Sequence, residues 1–182
     1  ETSVMGQVLD QFAAQAHDIL GGDTGDEGLS KVSRLLEDVL KNQEFVAEYL
    51  GPEIDSPRNI LYEDPELKFC IIAHVYEGAK QSTPHDHGPS WAIYGQAKGV
   101  TTMTEWRKLE DPDGDKPGRV EATGSYDLEP GMARYYVVGQ LHSPARASST
   151  RLIRIEGQDL SKVKRDKYEA DETGDRKSTR LN

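Results

Sequence analysis

The sequence predicts a mainly β fold preceded by an N-terminal helical segment, and three observations carry that expectation. Apolar residues recur at three- and four-residue intervals up to residue 50; from Pro52 onward the chain breaks into short β-favouring runs; and those runs are separated by glycine, proline and aspartate. At 182 residues the chain has the usual size of one globular domain. The boundaries that follow are helices over 1–52, a β body over 53–160 and a polar tail over 161–182.

In chain order, Met5, Val8, Leu9, Phe12, Ala16, Ile19 and Leu20 form the apolar stripe of a first helix. Gly21-Gly22 is expected to end it, because glycine accepts the left-handed conformation that closes helices. His17 lies on this helix and is expected to be partly exposed rather than a metal ligand. A second stripe, Val32, Leu35, Leu36, Val39 and Leu40, continues to Phe45, Val46 and Leu50 before Gly51-Pro52, so two or three helices precede the β body. The expected strands are 59–62, 68–76, 91–96, 101–109, 119–127, 133–138 and 150–156, enough for an antiparallel all-β body. Asp111 to Gly118 reads as an exposed hairpin loop; it lacks the glutamate that closes a calcium-binding EF-hand loop. Ser161 to Asn182 is rich in charges of both signs and is expected to dangle or fray.

Lys plus Arg total 22 against 32 Asp plus Glu, a formal net charge of −10, which disfavours a phosphate-tracking surface and hence a nucleic-acid partner. No apolar run approaches the roughly 18 residues that span a bilayer, and no charged-then-apolar leader is visible, so no membrane partner is expected. The expectation is a soluble, cytoplasmic chain. Cys70, the only cysteine, excludes an intrachain disulfide and a cysteine-based zinc cluster. It alternates with core positions, and no serine sits in a nucleophile-elbow pattern, so nucleophilic catalysis by either residue is set aside.

The strongest local feature is His85-Asp86-His87. On a strand, residues two apart share a face, so both imidazoles can reach one ion while Asp86 points away. Alone this pattern is weak. A third imidazole, His142, follows Gly139-Gln140-Leu141 and can arrive from a different strand. His74 alternates with Cys70, Ile72 and Tyr76 and reads either as bracing a ligand or, preferably, as a core residue.

With these residues in place the sequence resembles the cupin superfamily, double-stranded β-helix barrels with a metal site inside the barrel mouth. Gly78, His85, His87 and Gly99 follow the family's first motif, with six residues instead of five between Gly78 and His85; Gly131, Val137 in place of a proline, Gly139 and His142 follow the second. The first motif's glutamate is missing, its place held by Trp91 or Ala92, which leaves three histidines and no carboxylate. Within the superfamily that pattern looks like the cysteine dioxygenase-like thiol dioxygenases. The resemblance extends upstream through Arg58-Asn59-Ile60-Leu61 and Lys68-Phe69, and it covers roughly Arg58 to Glu156. It implies that Arg58 holds a substrate carboxylate. It breaks at Thr150 to Glu156, where the family's Ser-x-His-x-Tyr stretch has no equal, and at Ala92, where some members carry a crosslinked cysteine. It therefore stops short of implying cysteine itself as substrate.

Physically, three neutral imidazoles leave Fe(II) its full double charge and three open positions on one face, enough for a bidentate anion plus dioxygen. Arg58 offers a planar fork that matches a carboxylate, or else forms a surface ion pair. Arg154 and Glu156 share one strand face and either pair inside the barrel or lie exposed across strands. Tyr94 and Tyr136 are candidate hydroxyl donors near the ion, with plain packing as the alternative; Trp91 and Pro89 are expected to wall the pocket. The leading expectation is an Fe(II)-dependent dioxygenase with catalytic residues Arg58, Arg154 and Tyr94, acting on dioxygen and a small carboxylate-bearing substrate, with or without a thiol. The alternatives are a Zn- or Ni-dependent hydrolase, isomerase or lyase, and a non-catalytic module that binds a small acid. Sheet edges and apolar helix faces leave a homodimer open.

Overall fold

The computed structural model describes residues 4–116, 118–162, 166–170 and 176–180. Pro117 of the expected hairpin loop, and residues 163–165, 171–175, 181 and 182 of the expected tail, lie outside the described residues.

Three helices come first: α1 (Val4–Leu20), α2 (Asp26–Leu40) and α3 (Gln43–Leu50). Local hydrogen bonds set their ends. The Asp23 carboxylate accepts from Gly25 N (2.7 Å) and Gly28 N (3.0 Å) at the start of α2, and Asn42 caps α3 by accepting from Phe45 N at 3.1 Å. Helix α1 ends at Leu20 as the sequence predicts, but not by a left-handed cap: neither Gly21 nor Gly22 has positive φ. Their amides instead close tight bonds to the His17 and Ile19 carbonyls, and a Cβ on Gly21 would meet His17 O at 3.1 Å.

The β body runs β1 (Arg58–Glu63), β2 (Cys70–Tyr76), β3 (Lys80–Gln81), β4 (Ala92–Lys98), β5 (Thr101–Glu110), β6 (Arg119–Leu128), β7 (Ala133–Tyr136), β8 (Leu141–Arg146) and β9 (Thr150–Glu156). A short 3-10 turn, Leu160–Lys162, follows. Then β10 (Asp166–Ala170) and β11 (Arg176–Arg180) form a hairpin that pairs through β11 with β6. All pairings are antiparallel, in two sheets ordered β1-β2-β9-β4-β7 and β10-β11-β6-β5-β8-β3. For β2 to β9, the orders 2-9-4-7 and 6-5-8-3 are those of an eight-stranded jelly roll, in which two Greek keys wind into a double-stranded β-helix. The fold is therefore mainly β and cupin-like, behind a helical segment. The four motif glycines, Gly78, Gly99, Gly131 and Gly139, all adopt positive φ. At Gly139 (φ 83°) this conformation makes the turn that delivers β8.

Strand alternation gives the first sheet two buried faces. Ile71, Ala73, Val75, Ile93, Ile153 and Ile155 pack outward against Phe12, Leu29, Val32, Leu36 and Phe45 of the helices. Contact is closest at Gly95, where a Cβ would meet Leu36 Cδ2 at 2.6 Å and Leu40 Cδ1 at 2.8 Å. Arg151 on β9 joins helices to barrel: its guanidinium donates to the carbonyls of Leu50, Gly51 and Ile54 at the exit of α3. A second tie is His17, partly exposed as its helix face implies, whose Nδ1 lies 2.9 Å from the buried Asp64 carboxylate between β1 and β2. Inward, Ala92, Tyr94, Tyr136 and Leu152 meet Met103 and Leu128 of the second sheet, so the two sheets face each other across a filled interior.

Four strands were not expected: β10 and β11 pair where the polar tail is expected to dangle, β3 is only two residues long, and β8 contains Pro144, a residue that usually argues against a paired strand. Here the Pro144 carbonyl still accepts from Ser82 N at 3.0 Å.

Candidate metal centre

β8 brings His142 into the barrel, where it is fully buried, and backbone pairing brings His85 to it. His85 N donates to His142 O (2.9 Å) and His142 N to His85 O (3.0 Å). No continuous strand runs through 85–87, which corrects the expectation that strand alternation puts the two histidines on one face. Asp86 instead accepts from Gly88 N at 2.8 Å, and Gly88 takes φ 60°; that turn places His87. The three side chains nevertheless converge, with one nitrogen from each of His85, His87 and His142 within 4.8 Å of the others.

The spacing suits a metal ion. His87 Nε2 and His142 Nε2 stand 2.9 Å apart, and adjacent ligands at right angles on an ion with bonds of about 2.1 Å are separated by about 3.0 Å. His85 Nδ1 lies 3.1 Å from the Thr83 carbonyl, which can only accept, so Nδ1 carries the hydrogen and Nε2 the lone pair. Ala92, at one of the two positions open to the missing glutamate, sits among the barrel-interior residues, and the group of three contains no carboxylate.

Two tyrosines brace the imidazoles. The Tyr94 hydroxyl lies 3.2 Å from His87 Nε2 and 3.4 Å from His142 Nε2, and burial pushes its pKa up, so it is a neutral phenol. The Tyr136 ring stacks on His142 with centroids 4.3 Å apart, and its hydroxyl bonds that of Tyr126, over which Arg134 lies at 4.2 Å.

A cavity of about 410 Å³ opens beside the centre, lined by His85 and Tyr94, by Arg58 and Arg154, and by His74 and Arg146. Arg154 pairs with Glu156 at 2.5 Å inside the barrel, and its guanidinium lies 5.8 Å from the Tyr94 ring centre. Arg58 lines the cavity too, but it is held by Asp159 at 2.9 Å and lies 3.5 Å from Glu156. The expected apolar wall is different: Trp91 packs in the cluster beneath the helices, and neither it nor Pro89 lines the cavity. Alternation explains this, since Trp91 has the parity of Ile93 and Ala92 that of Tyr94. His74, preferred as a core residue from the sequence, is buried and also lines the cavity. Its parity with Tyr76 on β2 was the available signal. Cys70 is fully buried, and burial pushes its thiol up to about 11, which leaves it protonated and unreactive.

No protein-family model matches the chain, and no curated protein matches it. Among solved structures it is similar to a cupin superfamily protein from Desulfitobacterium hafniense, with 13% identity over 58% of this chain and 84% of that one and a TM-score of 0.42. A cupin-2 domain protein from Shewanella frigidimarina gives 12% identity over 61% and 89%, also at TM-score 0.42. KdgF from Halomonas gives 15% over 58% and 82% at TM-score 0.40. No helix among the described residues is long and apolar enough to cross a membrane.

Proposed function

We propose that this chain is a metal-dependent enzyme, an Fe(II) dioxygenase acting on a small carboxylate-bearing substrate, with thiol acids the first class to assay. The observation that supports it is the convergence of His85, His87 and His142, without a carboxylate, at the edge of a cavity lined by Arg58 and Arg154. A bound Fe(II) ion would supply redox chemistry toward dioxygen and a doubly charged centre for an anion.

The chain's own residues supply binding and orientation. Arg154, largely buried and braced by Glu156, presents fixed positive charge to the cavity and attracts the acid group. Arg58 adds to the same field while Asp159 and Glu156 hold it. The Tyr94 phenol stands against both buried imidazoles and holds its proton where an anionic ligand atom would need a donor. Leu152 and Tyr76 supply apolar surface that limits water.

The test is elemental analysis of anaerobically prepared protein, followed by oxygen-electrode assays with thiol carboxylates and other small acids. The expected result is stoichiometric iron and oxygen consumption with at least one acid. Bound iron with no consumption by any acid overturns the dioxygenase reading. Stoichiometric zinc or nickel with oxygen-independent turnover assigns the site to hydrolysis, isomerisation or elimination instead.

A further inference from the structure

The cavity beside the histidines carries polar atoms that neither metal binding nor attraction of a carboxylate uses. Three of the residues lining it, His74, Thr150 and Arg154, each hold a buried side-chain atom with no hydrogen-bond partner among the described residues: His74 Nε2, Thr150 Oγ1 and Arg154 Nε. Buried polar atoms left so carry a desolvation cost that nothing in the fold offsets. They lie together: Thr150 and Arg154 share the inward face of β9 with Leu152, and His74 on β2 stands opposite Leu152, diagonal to both. Gln96 on the same inward face shows the contrast, since its amide is occupied by Lys98 O, Gly99 O and the Thr101 hydroxyl.

The polarity of His74 follows from its surroundings. Nδ1 lies 3.2 Å from the Pro57 carbonyl and 3.0 Å from the Tyr76 hydroxyl. The carbonyl can only accept, so Nδ1 carries the hydrogen and Nε2 is a bare lone pair. Burial, then the charges of Arg154 and Arg58, push the ring's pKa down to about 2, so it stays neutral and Nε2 only accepts.

We infer that this patch is a ligand subsite, in which His74 Nε2 accepts a hydrogen bond from a neutral hydroxyl or amide N–H carried by a small acid. Thr150 Oγ1 and Arg154 Nε complete the patch. The donor is neutral because Arg58 and Arg154 oppose positive charge at His74, which disfavours an ammonium there. The subsite therefore selects a hydroxy or amido acid over the amino acid of the same skeleton. It rests on the cavity being the substrate site, but not on which metal is bound.

The test is calorimetric titration of the full chain with straight-chain ω-hydroxy acids, from glycolate to ω-hydroxyhexanoate, each beside the unsubstituted acid and the ω-amino acid. Metal-loaded and metal-stripped protein are both titrated, which separates chelation from the subsite. At the fitting length the hydroxy acid is expected to bind about ten-fold or more tightly than the unsubstituted acid, and the amino acid less tightly than the hydroxy acid. His74→Phe is expected to erase that preference while affinity for the unsubstituted acid and metal content are unchanged; His74→Gln, which keeps an acceptor, restores part of it. If His74→Phe does not fold by circular dichroism, Thr150→Val provides the second variant and is expected to lower the ratio. Equal binding of the paired acids at every length, no binding at millimolar concentration, or a preference that survives His74→Phe overturns the subsite. A preference that persists in protein shown to lack oxygen uptake supports the subsite and counts against the dioxygenase reading alone.

Discussion

β2, β4 and β9 are buried on both faces, yet the two faces are built of different material. Outward lie Ile71, Ala73, Val75, Ile93, Ile153 and Ile155, which meet the helices through apolar contact, with Arg151 adding polar ties at the exit of α3. Inward, the same strands carry His74, Tyr94, Gln96, Arg154 and Glu156, where every atom needs a specific partner. Equal burial therefore does unequal work. The outward face gains stability in proportion to area, and the inward face exchanges some of that stability for charge and hydrogen-bonding groups held in fixed positions.

The sharpest break between the faces is expected at the histidines. His87→Ala or His142→Ala should lower metal affinity more than about 100-fold, because each removes a ligand outright where disturbing a supporting contact costs about 10–100-fold. Metal titration monitored by elemental analysis checks this; undiminished binding would dissociate the centre from these residues. Next in size is Arg154→Met, which leaves Glu156, fully buried, with a hydrogen bond from Leu160 N and the more distant charge of Arg58. The expected loss is about 3 kcal/mol in urea unfolding, and the double variant Arg154→Met/Glu156→Leu should recover most of it. Failure to recover would mean that the pair contributes net stability. On the outward face, Ile153→Ala should cost about 2–3 kcal/mol while metal content is unchanged. Gly95→Ala should cost about 1–2 kcal/mol, since the new methyl displaces the ends of Leu36 and Leu40.

The smallest effect is a pH dependence outside the barrel. The hydrogen bond to Asp64 raises His17 above 6.5, so its contribution is complete below that value and is lost as pH rises through the folded pKa. Burial opposes ionisation of Asp64, but bonds from Leu67 N, His17, Tyr62 and Glu66 N outweigh it and hold the carboxyl below 3.8. That contribution is present above 3.8 and is lost as pH falls through the folded value. The pair thus stabilises most between about pH 4 and 6.5. His17→Gln should flatten the stability profile above that window without altering the metal centre; an unchanged profile would remove the pair from the stability balance.

Much of this was legible in the sequence because it is periodic or local. The stripes of α1 and α2 follow helical spacing, and His85, His87 and His142 stand among glycines that do adopt positive φ. What escaped is long-range or runs against propensity. β8 hides behind Ser143-Pro144, and the partner of Arg58 is Asp159, 101 residues away. The nearness of Trp91 to His87 points to the cavity, but one step of alternation turns it to the helices. The tautomer of His74 depends on the Pro57 carbonyl, a backbone group that no residue pattern reveals.

The guanidinium of Arg151 gathers three carbonyls at the place where helix gives way to strand. Those bonds tie the exit of α3 directly to β9, the strand that also bears Arg154, so opening of the amino-terminal layer would break contacts made by that strand. Loosening the outer layer would thus be felt at the charge beside the histidines, so integrity of the scaffold and readiness of the cavity share one strand.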